Sequence, residues 1–231
     1  MMKKALLFGS IGAIMETSDI QRRAYNQALR ESRLPWVWDL TVYADLLEQS
    51  GGKDRLAMLA AATGTVLSQA QIDLIHARKM EIACAEIVAS QVPPRAGVVA
   101  LARLAKERGM KLGFVTTTYQ PNIDAIFAAL GDILPPGDFD HIVDREAVKN
   151  GKPAPDAYLA TLTALGVSAA DALAVEDTAL SVMSAKRAGI TTIATPGKIS
   201  AGQDFWQADF VIPALAGDDG AVDPRVIALL D

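Results

Sequence analysis

Cysteine and histidine are scarce in this chain. Its 231 residues include one cysteine, Cys84, and two histidines, His76 and His141. A single cysteine excludes an internal disulfide and favours a reducing compartment, so we expect a cytoplasmic protein. Neither histidine has a partner at metal-ligand spacing, and both are interpreted as structural residues.

Positive charge and long apolar runs are also in short supply. The chain has 22 Lys and Arg residues against 27 Asp and Glu, a net charge of −5 and a pI of about 5.1. Without a basic cluster there is no electrostatic basis for binding nucleic acid. No apolar run approaches the roughly 20 residues of a membrane-spanning helix, so no membrane partner is expected.

The N-terminus has two possible interpretations. Lys3 and Lys4 precede an apolar run from Ala5 to Met15, which has the form of a short secretory signal. The same segment is also consistent with a buried strand, K-A-L-L-F, followed by a turn from Gly9 to Gly12. The remainder of the sequence has to decide between the two.

Residues 18–90 are helical in pattern and contain no strand-like run. Thr17, Ser18 and Asp19 offer N-cap chemistry for a helix over residues 20–30. A second helix is predicted over residues 71–88, with Ile72, Ile75, Lys79 and Ile82 at helical spacing. Paired prolines in the segment Q-V-P-P-R-A-G, residues 91–97, end this helical region.

Beyond the prolines, strand and helix patterns alternate. Strands are predicted at 111–115, 141–143, 172–175, 191–195 and 210–212, and helices at 98–108, 123–130, 155–165, 179–188 and 224–230. This alternation predicts an α/β fold with a doubly wound parallel sheet. The helical stretch is then an insertion, so we expect an α/β core of residues 1–16 plus 92–231 and a helical cap of residues 17–91.

Polar residues follow several of these strands. Thr116, Thr117 and Thr118 come after strand 111–115, Glu176 and Asp177 after strand 172–175, and Lys152 precedes helix 155–165. Ligands of such sheets bind beyond the carboxyl ends of the strands. Hydroxyls, a lysine and two carboxylates at one rim suit a phosphate with a divalent cation.

Each of these signals also has a plainer interpretation. The three threonines are favourable strand residues, Asp177 could cap helix 179–188, and an isolated lysine such as Lys152 is usually solvated. The segment W-V-W, residues 36–38, together with Tyr43, is interpreted as the core of the cap rather than a stacking surface.

In combination the motifs resemble the haloacid dehalogenase superfamily, in particular its β-phosphoglucomutase-like branch with a helical cap. The resemblance rests on V-T-T-T-Y-Q-P-N (115–122), K-P-A-P-D-A-Y (152–158) and V-E-D-T-A-L-S-V-M-S-A-K-R-A-G (175–189). The cap stretch S-G-G-K-D-R-L (50–56), with the threonine run and Asn122, further resembles Calvin-cycle-associated phosphatases that act on xylulose-1,5-bisphosphate.

The first motif of that family departs from its pattern here. The family sequence F-D-x-D-G-T-L-x-[DE]-T is replaced by F-G-S-I-G-A-I-M-E-T, which puts Gly9 at the nucleophile and Ile11 at the acid/base position. Ala13 replaces a threonine, Gln21 a cap-facing histidine and Ser181 a glycine. The apolar N-terminal run is therefore interpreted as the first strand with its two charges missing.

The resemblance implies phosphoryl transfer through an aspartyl phosphate, with a second carboxylate as acid and base. Neither Gly9 nor Ile11 can perform these steps, so we predict a protein that has lost the activity. Binding of phosphate or a phosphorylated sugar is expected to persist through Thr116, Thr117, Asn122 and Lys152, with Lys53 and Arg55 from the cap. Only Glu176 and Asp177 remain for the family's Mg²⁺, which is expected to bind weakly or not at all.

Two other hypotheses stay open. A working phosphatase or phosphomutase would need a substitute residue, for which Glu16, Asp19 and Ser10 are candidates. A scaffold or regulatory protein would need no ligand. Binding of a sugar phosphate separates the scaffold from the binding protein, and hydrolysis of a phosphate ester separates both from the enzyme.

Overall fold

The fold is built around one parallel sheet. The computed structural model describes residues 2–9, 11–49 and 51–231. The strands are β1 (Ala5–Phe8), β2 (Lys111–Val115), β3 (His141–Val143), β4 (Ala172–Glu176), β5 (Thr191–Ala194) and β6 (Phe210–Val211). They are hydrogen-bonded in the order β3-β2-β1-β4-β5-β6, with every pair parallel. The predicted doubly wound parallel sheet is confirmed.

Helices account for a large part of the rest of the described chain. They are α1 (Ser18–Glu31), α2 (Leu40–Leu46), α3 (Gly52–Thr63), α4 (Gln69–Ser90), α5 (Val98–Glu107), α6 (Gln120–Leu130), α7 (Asp156–Leu165), α8 (Ala179–Arg187) and α9 (Pro224–Ala228). The first four lie between β1 and α5 and form the helical cap. No helix among the described residues is long and apolar enough to cross a membrane.

Strand β1 is apolar throughout because both faces of the sheet are covered. Leu6 and Phe8 pack on one side with α5 and α6, whereas Ala5 and Leu7 pack on the other with α7. All four residues are completely buried. Strands of parallel sheets are continuous apolar runs for this reason. The burial of β1 on both faces therefore explains why the N-terminal segment has an apolar composition similar to that of a secretory signal.

The register of β1 brings three loops to one edge of the sheet. Phe8 lies opposite Phe114 on β2 and opposite Val175 on β4. Since the strands are parallel, Gly9, Thr116 and Asp177 follow at the same carboxyl-terminal edge. This is the edge at which ligands of doubly wound sheets bind.

An aromatic cluster holds the cap together. Tyr25, Trp38 and Tyr43 are almost fully buried, and the rings of Tyr25 and Trp38 lie 4.3 Å apart. Trp36 packs in the same cluster, which confirms the cap-core interpretation of this segment. Cap and sheet domain meet where Ile87 of α4 packs with Ala125 of α6.

At helix N-termini, one prediction is wrong in detail and one alternative interpretation is wrong. Helix α1 starts at Ser18, and Thr17 is its N-cap residue without a side-chain capping bond, so the expected cap chemistry is not used. Asp177 does not cap α8. Thr178 does so, and its hydroxyl oxygen accepts the backbone N–H of Ser181 at 3.3 Å.

Candidate active site

A cleft of about 320 Å³ lies between the cap and the carboxyl edge of the sheet. Its size is at the lower end of the range for small-molecule pockets. From the cap it is lined by Gln21, Tyr25, Lys53, Arg55, His76 and Lys79, and from the core by Thr116, Thr117, Arg145, Lys152, Glu176 and Asp177. Of the sequence-predicted binding residues, Thr116, Thr117 and Lys152 of the core and Lys53 and Arg55 of the cap therefore face one space.

Lys152 forms a buried ion pair at the core end of this cleft. Its ammonium group donates to Glu176 Oε1 and to the carbonyl oxygen of Val115, the latter at 3.2 Å. Lys152 is 7% exposed and Glu176 1% exposed, so the alternative that Lys152 is a solvated surface lysine is wrong. The hydroxyl of Tyr158 donates to the same carboxylate oxygen. Burial and the nearby Glu176 charge raise the pKa of Tyr158 well above its usual value.

The carboxylate of Glu176 also fills the space beside Gly9. A Cβ atom placed on Gly9 would collide with Glu176 Oε2, and no hydrogen-bond partner of that oxygen is found among the described residues. Position 9, where the resemblance implies the nucleophile, thus has no side chain. The carboxylate of Glu176, from the neighbouring strand β4, occupies the place that a Cβ atom at position 9 would take.

Asp177 lies in a similar close contact with Gly12. Gly12 has a φ of +81°, and a Cβ atom there would collide with Asp177 Oδ2, so only glycine fits. Arg95 holds this loop, because its guanidinium donates to the carbonyl oxygens of Gly12 and Thr195, each at 2.6 Å. Burial and the charge of Glu176 raise the pKa of Asp177 well above its usual value, which favours its neutral form.

These donors do not fit a magnesium site of the implied kind. One oxygen of Glu176 is used by Lys152 and Tyr158, which leaves Asp177 as the other carboxylate at this edge. Residue 9 contributes no side-chain oxygen. Mg²⁺ requires several oxygen ligands in near-octahedral geometry. No cluster of three or more His, Cys, Asp or Glu side chains suitable for a metal occurs in the described part of the chain.

Two of the three candidate substitute residues, Glu16 and Asp19, make contacts outside the cleft. Glu16 Oε2 accepts the backbone N–H of Lys198 at 2.9 Å, and Asp19 pairs with Arg22 and Arg23. Neither side chain lines the cleft. Ser10 lies outside the described residues. Ile11, at the acid/base position, does line the cleft and contributes an apolar side chain without a titratable group.

Gln21 joins the cap to the core below the cleft. Its amide donates to Asn122 Oδ1 on α6 at 3.1 Å, and its oxygen accepts from the ammonium group of Lys79. Asn122 is completely buried and does not line the cleft, although we predicted it as a binding residue. Thr116 is also buried, and its hydroxyl oxygen accepts the backbone N–H of Thr118 at 3.1 Å.

The two predicted cap residues, Lys53 and Arg55, belong to the first turns of α3. Lys53 pairs with Asp73 at 2.7 Å, and the Nε atom of Arg55 donates to the carbonyl oxygen of Gln49 at 2.7 Å. Arg55 also lies 5.9 Å from the centre of the Tyr43 ring. Both cations therefore face the cleft from positions fixed by the cap itself.

Sequence reasoning did not predict several of the cleft residues, among them Tyr25, His76, Lys79 and Arg145. Burial lowers the pKa of His76 to about 4, so it is neutral at pH 7. Burial, with a smaller contribution from Arg55, lowers the pKa of Lys79 to about 7. A signal for Lys79 was present, because it shares helical spacing with the buried residues Ile72 and Ile75. A lysine in such a stripe indicates a buried cation.

Comparison with known proteins gives a consistent result. A family model described as haloacid dehalogenase-like hydrolase matches residues 4–189. Protein CbbY of Rhodobacter capsulatus is 37% identical over 214 residues, which cover 92% of this chain and 94% of that protein. A plasmid-encoded CbbY of Cupriavidus necator is 36% identical over 228 residues, covering 96% and 89% respectively.

Solved structures agree with these matches. A mutant of CbbY from Rhodobacter sphaeroides in complex with xylulose-(1,5)bisphosphate has a TM-score of 0.86 and 32% identity, and the match covers 96% of this chain and 100% of that one. CbbY from the same organism in complex with phosphate also gives a TM-score of 0.86, with coverage of 95% and 99%.

Proposed function

The chain belongs to the haloacid dehalogenase-like hydrolase family, and from this premise we propose that it binds a phosphorylated sugar without hydrolysing it. It is similar to the CbbY sugar-bisphosphate phosphatases in sequence and fold. We propose a cytoplasmic binding protein in which residues 1–16 and 92–231 form the core and residues 17–91 the cap. The ligand lies in the cleft between them.

One observation carries this proposal: a carboxylate from β4 takes the space of a side chain at position 9. Gly9 offers no nucleophile, and Glu176 Oε2 stands where a side chain would begin. Glu176 is held there by Lys152 and Tyr158, and Ile11 supplies no proton donor or acceptor. Attack on phosphorus and protonation of the leaving oxygen both lack a group in place.

Ligand binding does not depend on those missing groups. Thr116, Thr117 and Lys152 at the core end, and Lys53 and Arg55 at the cap end, line a cleft of suitable size. Hydroxyl, ammonium and guanidinium donors are the groups that bind phosphate and sugar oxygens. The ligand of the R. sphaeroides relative, xylulose-(1,5)bisphosphate, is therefore a suitable first probe.

The test measures binding and turnover on the same preparation. We expect xylulose-1,5-bisphosphate or ribose 5-phosphate to bind by isothermal titration calorimetry with an affinity that is independent of Mg²⁺. We expect no release of inorganic phosphate above the blank with Mg²⁺ present. Turnover that co-purifies with the protein and disappears in a Lys152→Met variant would contradict the proposal.

A revertant provides the positive control. The double variant Gly9→Asp with Ile11→Asp restores both carboxylates, and Glu176 has to turn away from Gly9 to admit the first of them. We expect the revertant to bind Mg²⁺ more tightly than the wild type. If the wild type already hydrolyses phosphate esters as fast as this variant does, the proposal is wrong.

A further inference from the structure

Lys79 is a buried amine on the wall of the cleft, and its contacts are neutral. It is 6% exposed, its Nζ atom donates to the side-chain oxygen of Gln21, and that atom lies 3.6 Å from the sulfur of Met80. No carboxylate in the described part of the chain pairs with it. Burial of an ammonium group without an opposite charge favours the neutral form. Lys79 therefore presents a free amine under conditions in which an ordinary lysine is protonated.

A free amine is a nucleophile, whereas a protonated lysine is not. Lysines are activated when they are desolvated or lie beside another cation, and Lys79 meets both conditions because the charge of Arg55 also acts on it. With a pKa of about 7, its fraction of free amine at pH 8 is roughly 200 times that of an ordinary lysine. Since Lys79 lines the cleft, a small electrophile can reach it.

The groups around Lys79 favour a negative charge at its end. Burial lowers the pKa of His76, and neighbouring cations, Lys53 and Arg55 among them, lower it further. Asp73 opposes this effect, but it is paired with Lys53 at 2.7 Å. The electrostatic potential at this place is therefore positive, and a reaction that turns the amine into an anion would be favoured.

An unused hydrogen-bond donor stands beside the amine. Tyr25 is 1% exposed, its hydroxyl has no partner in the described part of the chain, and its ring centre lies 4.8 Å from Lys79 Nζ. Burial raises the pKa of Tyr25 well above its usual value, so the hydroxyl stays protonated and can donate. Burial also raises the pKa of the Cys84 thiol, on the same helix as Lys79. An anionic oxygen is the acceptor that would satisfy such a buried donor best.

The carboxylates of the core are engaged elsewhere. Glu176 is bonded to Lys152, and Asp177 lies against Gly12. Neither forms an ion pair with Lys79 or acts on its pKa. The amine and the unpaired hydroxyl therefore lack an anion that the described part of the chain does not supply.

We propose that Lys79 is a site of reversible carbamate formation with CO₂, in which the Tyr25 hydroxyl donates to a carbamate oxygen and Arg55 supplies the opposing charge. The lone pair of the amine forms a bond to the carbon of CO₂. One carbon–oxygen π pair moves onto oxygen, and one proton leaves the nitrogen for water. The products are a lysine carbamate anion and a hydrated proton.

The surroundings of Lys79 are compatible with this product. The carbamate nitrogen keeps one N–H, which continues to donate to Gln21, so the link from cap to core persists. CO₂ is uncharged, so it enters the cleft without the desolvation cost of an anion. The reaction changes the charge of the cleft in response to dissolved CO₂. This inference goes beyond the proposed function and does not depend on a sugar ligand.

The experiment traps the carbamate on the full chain without any sugar phosphate. The protein is equilibrated with isotopically labelled bicarbonate at pH 8 and alkylated with triethyloxonium, which converts a lysine carbamate into a stable ethyl carbamate. Peptide mass spectrometry then locates the labelled adduct. Lys106, which forms an exposed pair with Asp138, is the reference lysine on the same molecule. Lys79→Met, Tyr25→Phe and the control Lys106→Met are treated identically, and circular dichroism verifies that they are folded.

We expect the wild type to carry at least about tenfold more adduct at Lys79 than at Lys106, because of the larger fraction of free amine. The adduct at residue 79 should be absent in Lys79→Met and unchanged in Lys106→Met. Tyr25→Phe should lower it by about tenfold, as for loss of a hydrogen bond to a charged group. At a fixed concentration of dissolved CO₂, a change from pH 8 to pH 6 should lower it by more than about tenfold, because the amine becomes protonated.

Two results would overturn the inference. The first is a folded wild type with no adduct at Lys79, or with no more than at Lys106, and this result does not depend on the folding of any variant. The second is an adduct at Lys79 that is as abundant in Tyr25→Phe as in the wild type, because the hydroxyl would then not hold the carbamate. Neither result affects the proposed function, which is tested separately by the binding of a sugar phosphate.

Discussion

At the scale of single residues, Glu176 determines most of what the core end can do. It neutralises Lys152, accepts from Tyr158 and stands against Gly9. Breaking a buried pair by removing one partner is far more damaging than losing an exposed pair, because a buried charge is left alone. This difference gives a direct stability test.

We expect Glu176→Ala to lower the free energy of unfolding by about 3–5 kcal/mol, since Lys152 and Tyr158 both lose their partner. Lys106→Ala is the matched control. It breaks the exposed pair with Asp138, and such pairs contribute about 1 kcal/mol or less. Urea denaturation monitored by circular dichroism measures both. Equal losses in the two variants would show that the buried pair is not formed.

Lys79 predicts a pH dependence of stability. Burial lowers its pKa to about 7 in the folded protein, whereas the unfolded chain titrates at roughly 10.4. Between these values the unfolded state binds more protons, so stability should rise with pH, by at most about 1.4 kcal/mol per unit. Below pH 7 Lys79 is charged in both states and its contribution is constant.

The measurement compares urea denaturation of the wild type and Lys79→Met at pH 7, 8 and 9. We expect the wild type to gain stability relative to the variant across this range. The other ionisable groups near Lys79 are Arg55, Cys84, Tyr25 and His76, and His76 is neutral throughout because its pKa is about 4. Parallel curves for the two proteins would contradict the assignment.

At this scale, the sequence predicted which residues lie at the site. It did not predict which of them form hydrogen bonds and ion pairs with one another. Strand ends and motif spacing brought Thr116, Lys152 and Glu176 to one rim. That Glu176 would turn towards Gly9 depends on the distance between β1 and β4 and on the length of a flexible side chain. Neither is encoded in local spacing. Lys79 was missed as a site residue because helical periodicity identifies the buried face of a helix. It does not show whether that face packs against other side chains or lines a cleft.

At the scale of elements, helix N-termini show how much local chemistry contributes. Helix α4 has a capping box in which Ser68 and Gln71 exchange hydrogen bonds, whereas Thr17 precedes α1 with its buried hydroxyl unpaired among the described residues. Both are N-cap residues of types that favour helix starts, yet only Ser68 makes the bond.

We therefore expect opposite outcomes from substituting the two residues. Ser68→Ala should lower the free energy of unfolding by about 1 kcal/mol through loss of the cap. Thr17→Val should be neutral or slightly stabilising, since it replaces an unpaired buried hydroxyl by a methyl group. Thermal unfolding of both variants tests this. A loss for Thr17→Val as large as for Ser68→Ala would mean that the hydroxyl has a partner in solution.

The predicted elements were close to the observed ones. Strand β2 matches its predicted bounds, and α4 extends two residues beyond the prediction at each end, Gln69–Ser90 against 71–88. Buried parallel strands appear as continuous apolar runs, and the buried residues of α4 recur at helical spacing. The start of α1 was misplaced because Thr17, Ser18 and Asp19 stand side by side as competing cap residues, and the helix begins at Ser18 without a side-chain capping bond from Thr17.

At the scale of the whole molecule, the cap is fixed to the core by a polar link as well as by packing. Gln21 bonds Asn122 on α6 and receives a bond from Lys79 on α4, and Ile87 and Ala125 pack alongside. The sequence predicted the insertion after β1 because a long helical stretch interrupts the strand–helix alternation. How the cap faces the sheet could not be predicted, since that depends on contacts between segments about a hundred residues apart.

The position of Glu176 against Gly9 also matters for any redesign of this cleft. An aspartate introduced at position 9 alone would bring a second carboxylate against the first and force it off Lys152 and Tyr158. A design that adds a carboxylate at position 9 therefore has to supply Lys152 and Tyr158 with another acceptor, so positions 9 and 176 have to be engineered together.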